Sequence, residues 1–379
     1  MNLPKNLAAQ LQKRIENQSL RKLAESNDLI DFSSNDYLGL SRNQNTFEIA
    51  HKFLIDNKTI QNGATGSRLI SGNHYLYEEL ESILYTFHKS EAALIFNSGY
   101  DANVGFFSSV LQRGDVILFD EFSHASIRDG ITMSNAKSYK FKHNDLGHLE
   151  ELLIKFQKTE TIYVVTESVF SMDGDSPDLI KMNQLINQYK AFFVIDEAHA
   201  VGVLGESGGG IIQELGLENE VFARIITFGK AIGSHGAAIL GSKELKQYLI
   251  NFARSFIYTT GLPPHSLVTT LLSYIELIKG ESLKELQENI TFFNQELIRL
   301  ELNSSFIESN SAIHSFVISG NESVKKAASQ LQEKGFDVKP ILSPTVSEGE
   351  ERIRFCLHSY NSREEITNIL ETLRIFVAT

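Results

Sequence analysis

Residues 161–197 read TIYVVTESVFSMDGDSPDLIKMNQLINQYKAFFVIDE. Two runs in this stretch, Thr161 to Glu167 and Ala191 to Glu197, are apolar almost throughout. Between them, Leu179 to Lys190 places apolar residues three and four apart, the spacing of an amphipathic helix. A strand that is apolar on both faces is covered on both. The stretch therefore predicts a strand–helix–strand unit of a parallel sheet flanked by helices. The same alternation extends outward through Ala92 to Phe96, Asp115 to Asp120, "KSYKF" (Lys137 to Phe141), Arg224 to Phe228 and Ala237 to Gly241. Asp145 to Lys158 supplies another helical spacer. The fold class is α/β, with a mostly parallel central sheet.

Past Pro263-Pro264 the pattern changes. A long helical stretch, His265 to about Leu300, leads to separate strands in "HSFVIS", "FDVKPI" and "RIRFCLHS". The expected division is an N-terminal helix and lead-in over residues 1–36, a large α/β domain over 37–271, and a smaller α+β domain over 272–379. The first thirty residues read as a helix.

Composition narrows the function. Forty-seven acids against 35 bases give a net charge of −12, which argues against nucleic acid, whose backbone needs a concentrated basic face. No apolar run approaches the roughly 18 residues of a membrane helix. The single cysteine, Cys356, excludes an internal disulfide, and with no signal-like leader the reading is cytoplasmic. No His/Cys spacing suggests a metal. The tetrapeptide Asp196-Glu197-Ala198-His199 mimics a helicase Mg²⁺ strand, but that chemistry needs G-x-x-x-x-G-K-[ST]. Before Gly229-Lys230 the first glycine is replaced by Arg224, and alanine follows the lysine. The glycine-rich stretch Val201 to Gly210 reads as a flexible loop.

Ligands of open parallel sheets bind at the carboxyl ends of the strands. There the sequence places Ser98-Gly99-Tyr100, His124, Asp196, His199 and Lys230. A lysine buried among imidazoles can fall from a pKa of about 10.4 toward about 7–8 and form a Schiff base with a carbonyl. Pyridoxal phosphate supplies such a carbonyl and needs a lysine, a carboxylate at its ring nitrogen, a flat stacking partner and a phosphate cup. Lys230, Asp196, His124 and the helix start at Ser98-Gly99-Tyr100 can supply these in turn.

The ordered segments "DFSSNDYLGLS", "GATGSRLISGNHYLYEELE", "IFNSGYDANVG", "SHASIRDG", "HNDLGHLE", "VVTESVFSMDGDSPDL", "IDEAHAVGVLGESGGG", "TFGKAIGSHGA", "IYTTGLPP" and "SPTV" resemble the α-oxoamine synthases, pyridoxal-phosphate enzymes of fold type I. The resemblance implies that Lys230 is the Schiff-base lysine, Asp196 the ring-nitrogen partner, and His199 the group near the phenolic oxygen. It implies that His124 stacks on the ring and touches substrate. Ser98, Gly99, Tyr100, Ser171 and Thr227 are implied cofactor ligands. Thr259 and Thr260 resemble a pair reaching the neighbouring subunit's phosphate, which implies a homodimer with shared sites. Asn35, Thr345 and Arg354 resemble substrate contacts, and Arg21 corresponds to an arginine that meets the acyl substrate. The segment "SLRKLAESNDLIDF" is shorter than the family's hairpin there, and Tyr100 replaces a common phenylalanine. Ser67 hints at room for an alanine methyl. The implied reaction is decarboxylative condensation of an amino acid, L-alanine first, with an acyl thioester, pimeloyl-CoA or its carrier-protein equivalent first. Glycine with acetyl-CoA, serine with a long acyl chain, transamination and a silent scaffold are the other readings.

Overall fold

Strand after strand in this chain is buried on both faces. In the structure, a computed structural model describing residues 3–17, 19–21, 23 and 28–377, the strands in chain order begin with β1 (Ile30–Asp31), β2 (Ala92–Phe96), β3 (Val116–Asp120), β4 (Lys137–Phe141) and β5 (Ile162–Glu167). They continue as β6 (Phe192–Asp196), β7 (Ala223–Thr227), β8 (Ala237–Gly241), β9 (Ile313–Val317), β10 (Phe336–Asp337), β11 (Lys339–Ile341) and β12 (Arg352–Cys356). A seven-stranded sheet runs in the order β2-β8-β7-β6-β5-β3-β4. Its pairs from β7 to β4 are parallel, and β8 runs against both β2 and β7. Successive residues feed different cores: Val165 packs with Phe106 and Ile127, Val164 with Leu153 and Met182. This is the alternation a doubly covered sheet requires.

The C-terminal strands form a separate antiparallel sheet in the order β11-β12-β9. The stretch "FDVKPI" is two strands rather than one. β10 pairs with β1 near the N-terminus, whereas β11 pairs with β12, and the fully buried Val338 between them turns the chain from one sheet to the other. The long helical stretch divides into Pro264–Lys279 and Glu281–Arg299 at Gly280, whose φ of +79° is a left-handed conformation that glycine adopts cheaply. The N-terminal helix covers Lys5–Glu16 only. Ser19, Leu20 and Arg21 are not helical, and residues 22 and 24–27 lie outside the described residues. None of that helix's residues is buried, so no packing lengthens it. No helix among the described residues is long and apolar enough to cross a membrane.

The loop Val201 to Gly210 is packed rather than open, with Val201 and Val203 buried. Beneath it lies an ion pair. Arg224, 2% exposed, donates Nε to Glu197 Oε2 at 2.7 Å, NH1 to the His88 carbonyl at 3.0 Å and NH2 to the Gly209 carbonyl at 2.8 Å. Glu197 also accepts the Ile212 N–H at 3.0 Å. Removing one partner strands the other charge in a dry interior. Arg224→Met is therefore expected to cost about 3–5 kcal/mol, read as a lower urea midpoint at unchanged slope, with Glu197→Gln added to it restoring part of the loss. A single-variant loss under about 1 kcal/mol would contradict this role.

Candidate active site

Asp196 ends β6 and Lys230 follows β7, so adjacent parallel strands deliver an acid and an amine to one end of the sheet. Asp196 is 5% exposed; its Oδ2 accepts Asn103 Nδ2 at 2.9 Å and its Oδ1 the Ala198 N–H at 2.9 Å. Lys230 Nζ lies 2.6 Å from His199 Nε2. His199 Nδ1 lies 2.8 Å from the Tyr37 hydroxyl, which donates to Asn35 Oδ1 at 3.1 Å. One proton direction satisfies the whole row: Lys230 donates to a neutral His199, His199 to Tyr37, and Tyr37 to Asn35. The electrostatics agree. Burial, reinforced by the Lys230 charge, holds the His199 pKa well below its ordinary value. Burial also brings Lys230 down to about 8, against the pull of Asp196 and Glu167.

His124 caps the helix Ala125–Thr132 through Nδ1, which accepts the Ser126 N–H at 3.2 Å. That bond leaves the proton of the neutral ring on Nε2. Desolvation lowers the His124 pKa, opposed by Asp196 and aided by Lys230, so the three groups sense one another.

The phosphate cup predicted at Ser98-Gly99-Tyr100 is the start of the helix Gly99–Val110. Ser98 Oγ accepts the Asp101 N–H at 3.0 Å. The N–H groups of Gly99 and Tyr100 have no acceptor within the helix and form the positive end of its dipole. Thr227 is beside this cup: a Cβ added to Gly99 would meet Thr227 Oγ1 at 3.6 Å. Thr227 Oγ1 also accepts the Gly229 N–H at 3.4 Å. Asn97 Nδ2 donates to Thr259 Oγ1 at 3.1 Å and to the Thr260 carbonyl at 2.5 Å, which ties both threonines to the cup of their own chain. Tyr100 is exposed and donates its hydroxyl to Asp129 at 2.8 Å.

Opposite the sheet, Arg354 on β12 donates to the Ser171 carbonyl at 3.0 Å, to the Ser33 carbonyl at 3.3 Å and to Asn35 Oδ1 at 3.2 Å. Arg354, Asn35 and Ser171 thus meet where the C-terminal sheet touches the large one. The loop 171–175 makes that meeting possible. Gly174 adopts φ +77°, and any Cβ there would lie 2.0 Å from the Ile313 carbonyl oxygen of β9. His143 clamps the other side, 2.9 Å from Asp120 and 2.8 Å from Asp175. Burial opposes its charge, but those two acids outweigh it and push its pKa up to about 9. Thr345, exposed, lines a cavity with Ser171. Arg21 is exposed.

Three groups at the site went unassigned by sequence. Glu167 ends β5 directly across from Asp196 in register. It is 4% exposed and accepts the His124 N–H at 2.5 Å; burial and the Asp196 charge push its pKa up to about 8. Its signal matched that of Asp196, an acid closing an apolar strand. Asn103 orients Asp196 and also donates to Ser126 at 3.0 Å. Tyr37 lies within "SSNDYLGL", a segment matched as a whole without a role for its tyrosine.

The donor set fits pyridoxal phosphate: an amine lowered to about 8, a buried acid fixed by two donors, and a helix start with open N–H groups. The chain matches the aminotransferase class I and II family over residues 27–373. It is 40% identical to the 8-amino-7-oxononanoate synthase of Emericella nidulans, with 91% of this chain and 88% of that protein aligned. Its fold is similar to 8-amino-7-oxononanoate synthase from Francisella tularensis, with a TM-score of 0.79, 29% identity and coverage of 93% and 99%. It is also similar to a structure of SPT, serine palmitoyltransferase, with PLP, with a TM-score of 0.88, 25% identity and coverage of 99% and 97%. With its half-buried lysine, buried acid and helix start at the ends of a parallel sheet, the chain belongs to the α-oxoamine synthases, acyl-transferring pyridoxal-phosphate enzymes of fold type I.

Proposed function

We propose that this synthase condenses L-alanine with a pimeloyl thioester in the cytoplasm: the α-carbon forms the new C–C bond, the thioester C–S bond breaks to release the carrier thiol, and carbon dioxide leaves, giving 8-amino-7-oxononanoate. The names of the curated relatives, 8-amino-7-oxononanoate synthases, support that product. The observation carrying the amino-acid half is Arg354. Held by the Ser171 carbonyl and Asn35, it offers a fixed guanidinium to a carboxylate on the side of the site where the Lys230–His199–Tyr37–Asn35 row ends.

In this reading Lys230 would hold the cofactor, Asp196 would keep a proton on its ring nitrogen, and His199 and His124 would contribute to its binding. Ser98, Gly99, Tyr100, Ser171 and Thr227 complete its binding, mostly from the large domain (37–271), while the small domain (272–379) contributes Thr345 and Arg354. Bound pyridoxal phosphate supplies an electron sink for a carbanion at the amino-acid α-carbon. The chain's own work is proton transfer and orientation. Lys230, freed when the amino group of the substrate takes its place, is then the amine positioned to take the α-proton, and its pKa of about 8 leaves a neutral fraction at neutral pH. Arg354 and Asn35 fix the carboxylate that leaves as carbon dioxide, and Arg21 is our proposed contact for the acyl substrate.

Steady-state turnover over a grid of L-alanine, glycine and L-serine against pimeloyl-, acetyl- and palmitoyl-CoA separates the family's members. The expected outcome is the highest kcat/KM for L-alanine with pimeloyl-CoA, with stoichiometric carbon dioxide. Preference for glycine with acetyl-CoA, or for serine with palmitoyl-CoA, would assign a sibling activity instead.

The assembly we propose is a homodimer whose Thr259 and Thr260 reach the neighbour's cofactor phosphate. Two charge-assisted bonds of roughly 1.5–3 kcal/mol each would then couple cofactor affinity to association. Mixing Lys230→Ala chains with Thr259→Ala/Thr260→Ala chains is expected to rebuild one site per heterodimer and raise activity above both parents. Mixed dimers with no such gain would mean that the threonines serve the cup of their own chain, where they already contact Asn97.

A further inference from the structure

A cavity of about 460 Å³ opens beside the site, with Ser171 and Thr345 among its lining residues. That volume lies within the usual range for small-molecule pockets, about 300–1,000 Å³. Phe122, Phe170, Met172 and Val346 make part of its wall apolar, suited to a hydrocarbon chain. Three basic side chains also line it, and two are already answered. Lys140 Nζ lies 3.7 Å from Glu121, and Arg352 pairs with Asp173 and, at 3.9 Å, with Glu350. Arg128 differs. Among the described residues no carboxylate forms an ion pair with its guanidinium, although it lines the same cavity. It stands on the helix Ala125–Thr132, four residues and about one turn beyond His124. It is also close enough that its charge contributes to lowering the His124 pKa.

We propose that Arg128 receives an anionic group carried by the acyl thioester, so that the thioester enters through this cavity with its chain along the apolar wall. The proposal rests on the acyl-transfer reading above and names the charge of the second substrate. Carboxylate and phosphate both match a guanidinium fork. The anion is therefore either the far carboxylate of a dicarboxylic acyl chain or a phosphate of the thioester's carrier. Of the acids on the lining, Glu121, Asp173 and Glu350 are paired with Lys140 and Arg352, and Arg128 is the base left to receive an anion.

Four thioesters separate the two sources: pimeloyl-CoA, heptanoyl-CoA, and the N-acetylcysteamine thioesters of the same two acids, which carry no phosphate. In the pyridoxal-phosphate-loaded enzyme, Arg128→Gln is expected to lower kcat/KM about tenfold or more on substrates bearing the recognised anion. On the others the change should stay within about twofold, and Arg128→Lys should keep part of the activity. A loss on both pimeloyl substrates identifies the carboxylate; a loss on both CoA substrates identifies the phosphate. Amino-acid affinity, read from the cofactor absorbance, should be unchanged. An equal loss on all four substrates, or none on any, overturns the proposal. If the wild-type enzyme turns over no thioester, the acyl-transfer reading has failed instead. Calorimetry with heptanedioate and with CoA then decides the subsite: tighter binding to wild type than to Arg128→Gln supports it, and equal or absent binding overturns it.

Discussion

A carboxylate buried at the end of a strand is the constraint on which the site depends. Asp196 has little access to water, and an unpartnered charge there would be costly or would be neutralised. The surrounding chain supplies what that charge requires. Asn103 and the Ala198 N–H donate to it, and Lys230 contributes an opposite charge nearby. Glu167, the neighbour in register on β5, cannot share the same environment as a second full charge, and its pKa of about 8 reflects that repulsion on top of burial. The His124 N–H that Glu167 accepts connects this balance to the histidine over the site. Lowering Lys230 to about 8 and raising Glu167 to about 8 are thus two results of one burial.

The second arrangement that matters is mechanical. Arg354 comes from the C-terminal sheet and Asp196 from the central one, so the loop carrying Ser171 must hold the two in fixed relation. Gly174 lets that loop lie directly on β9. Ser315 donates to the Met172 carbonyl at 2.5 Å, and Ser309 and Ser311 donate to the Gly174 carbonyl at 2.8 and 3.0 Å. On the opposite side, the charged His143 joins Asp120 at the end of β3 to Asp175. The loop is held from both sheets.

Much of this was legible in sequence, for reasons that differ by element. The central strands announce themselves because burial on both faces leaves an unbroken apolar run, as in Ile162 to Glu167. Lys230, Asp196, His199 and His124 stand out as polar residues ending such runs. Glu167 carried the same mark but was given no role. Only the register with Asp196 shows two acids side by side. Tyr37 and Asn103 gave no local signal, because each acts through a partner more than 90 positions away. The division of "FDVKPI" between two sheets was hidden for the same reason: pairing partners at Ile30 and Arg354 are not encoded locally. Gly280 stood in plain view inside the stretch read as helical from His265 to about Leu300, yet the break it makes there, with φ +79°, was not read.

The central claim is that this one lysine, lowered by burial beside Asp196 and His199, holds the cofactor. Borohydride reduction of the protein loaded with pyridoxal phosphate, followed by proteolysis and peptide mapping, tests it directly. The account predicts a single pyridoxyl label on the peptide containing Thr227-Phe228-Gly229-Lys230, at Lys230, and none in Lys230→Ala. A stoichiometric label on any other lysine would contradict it.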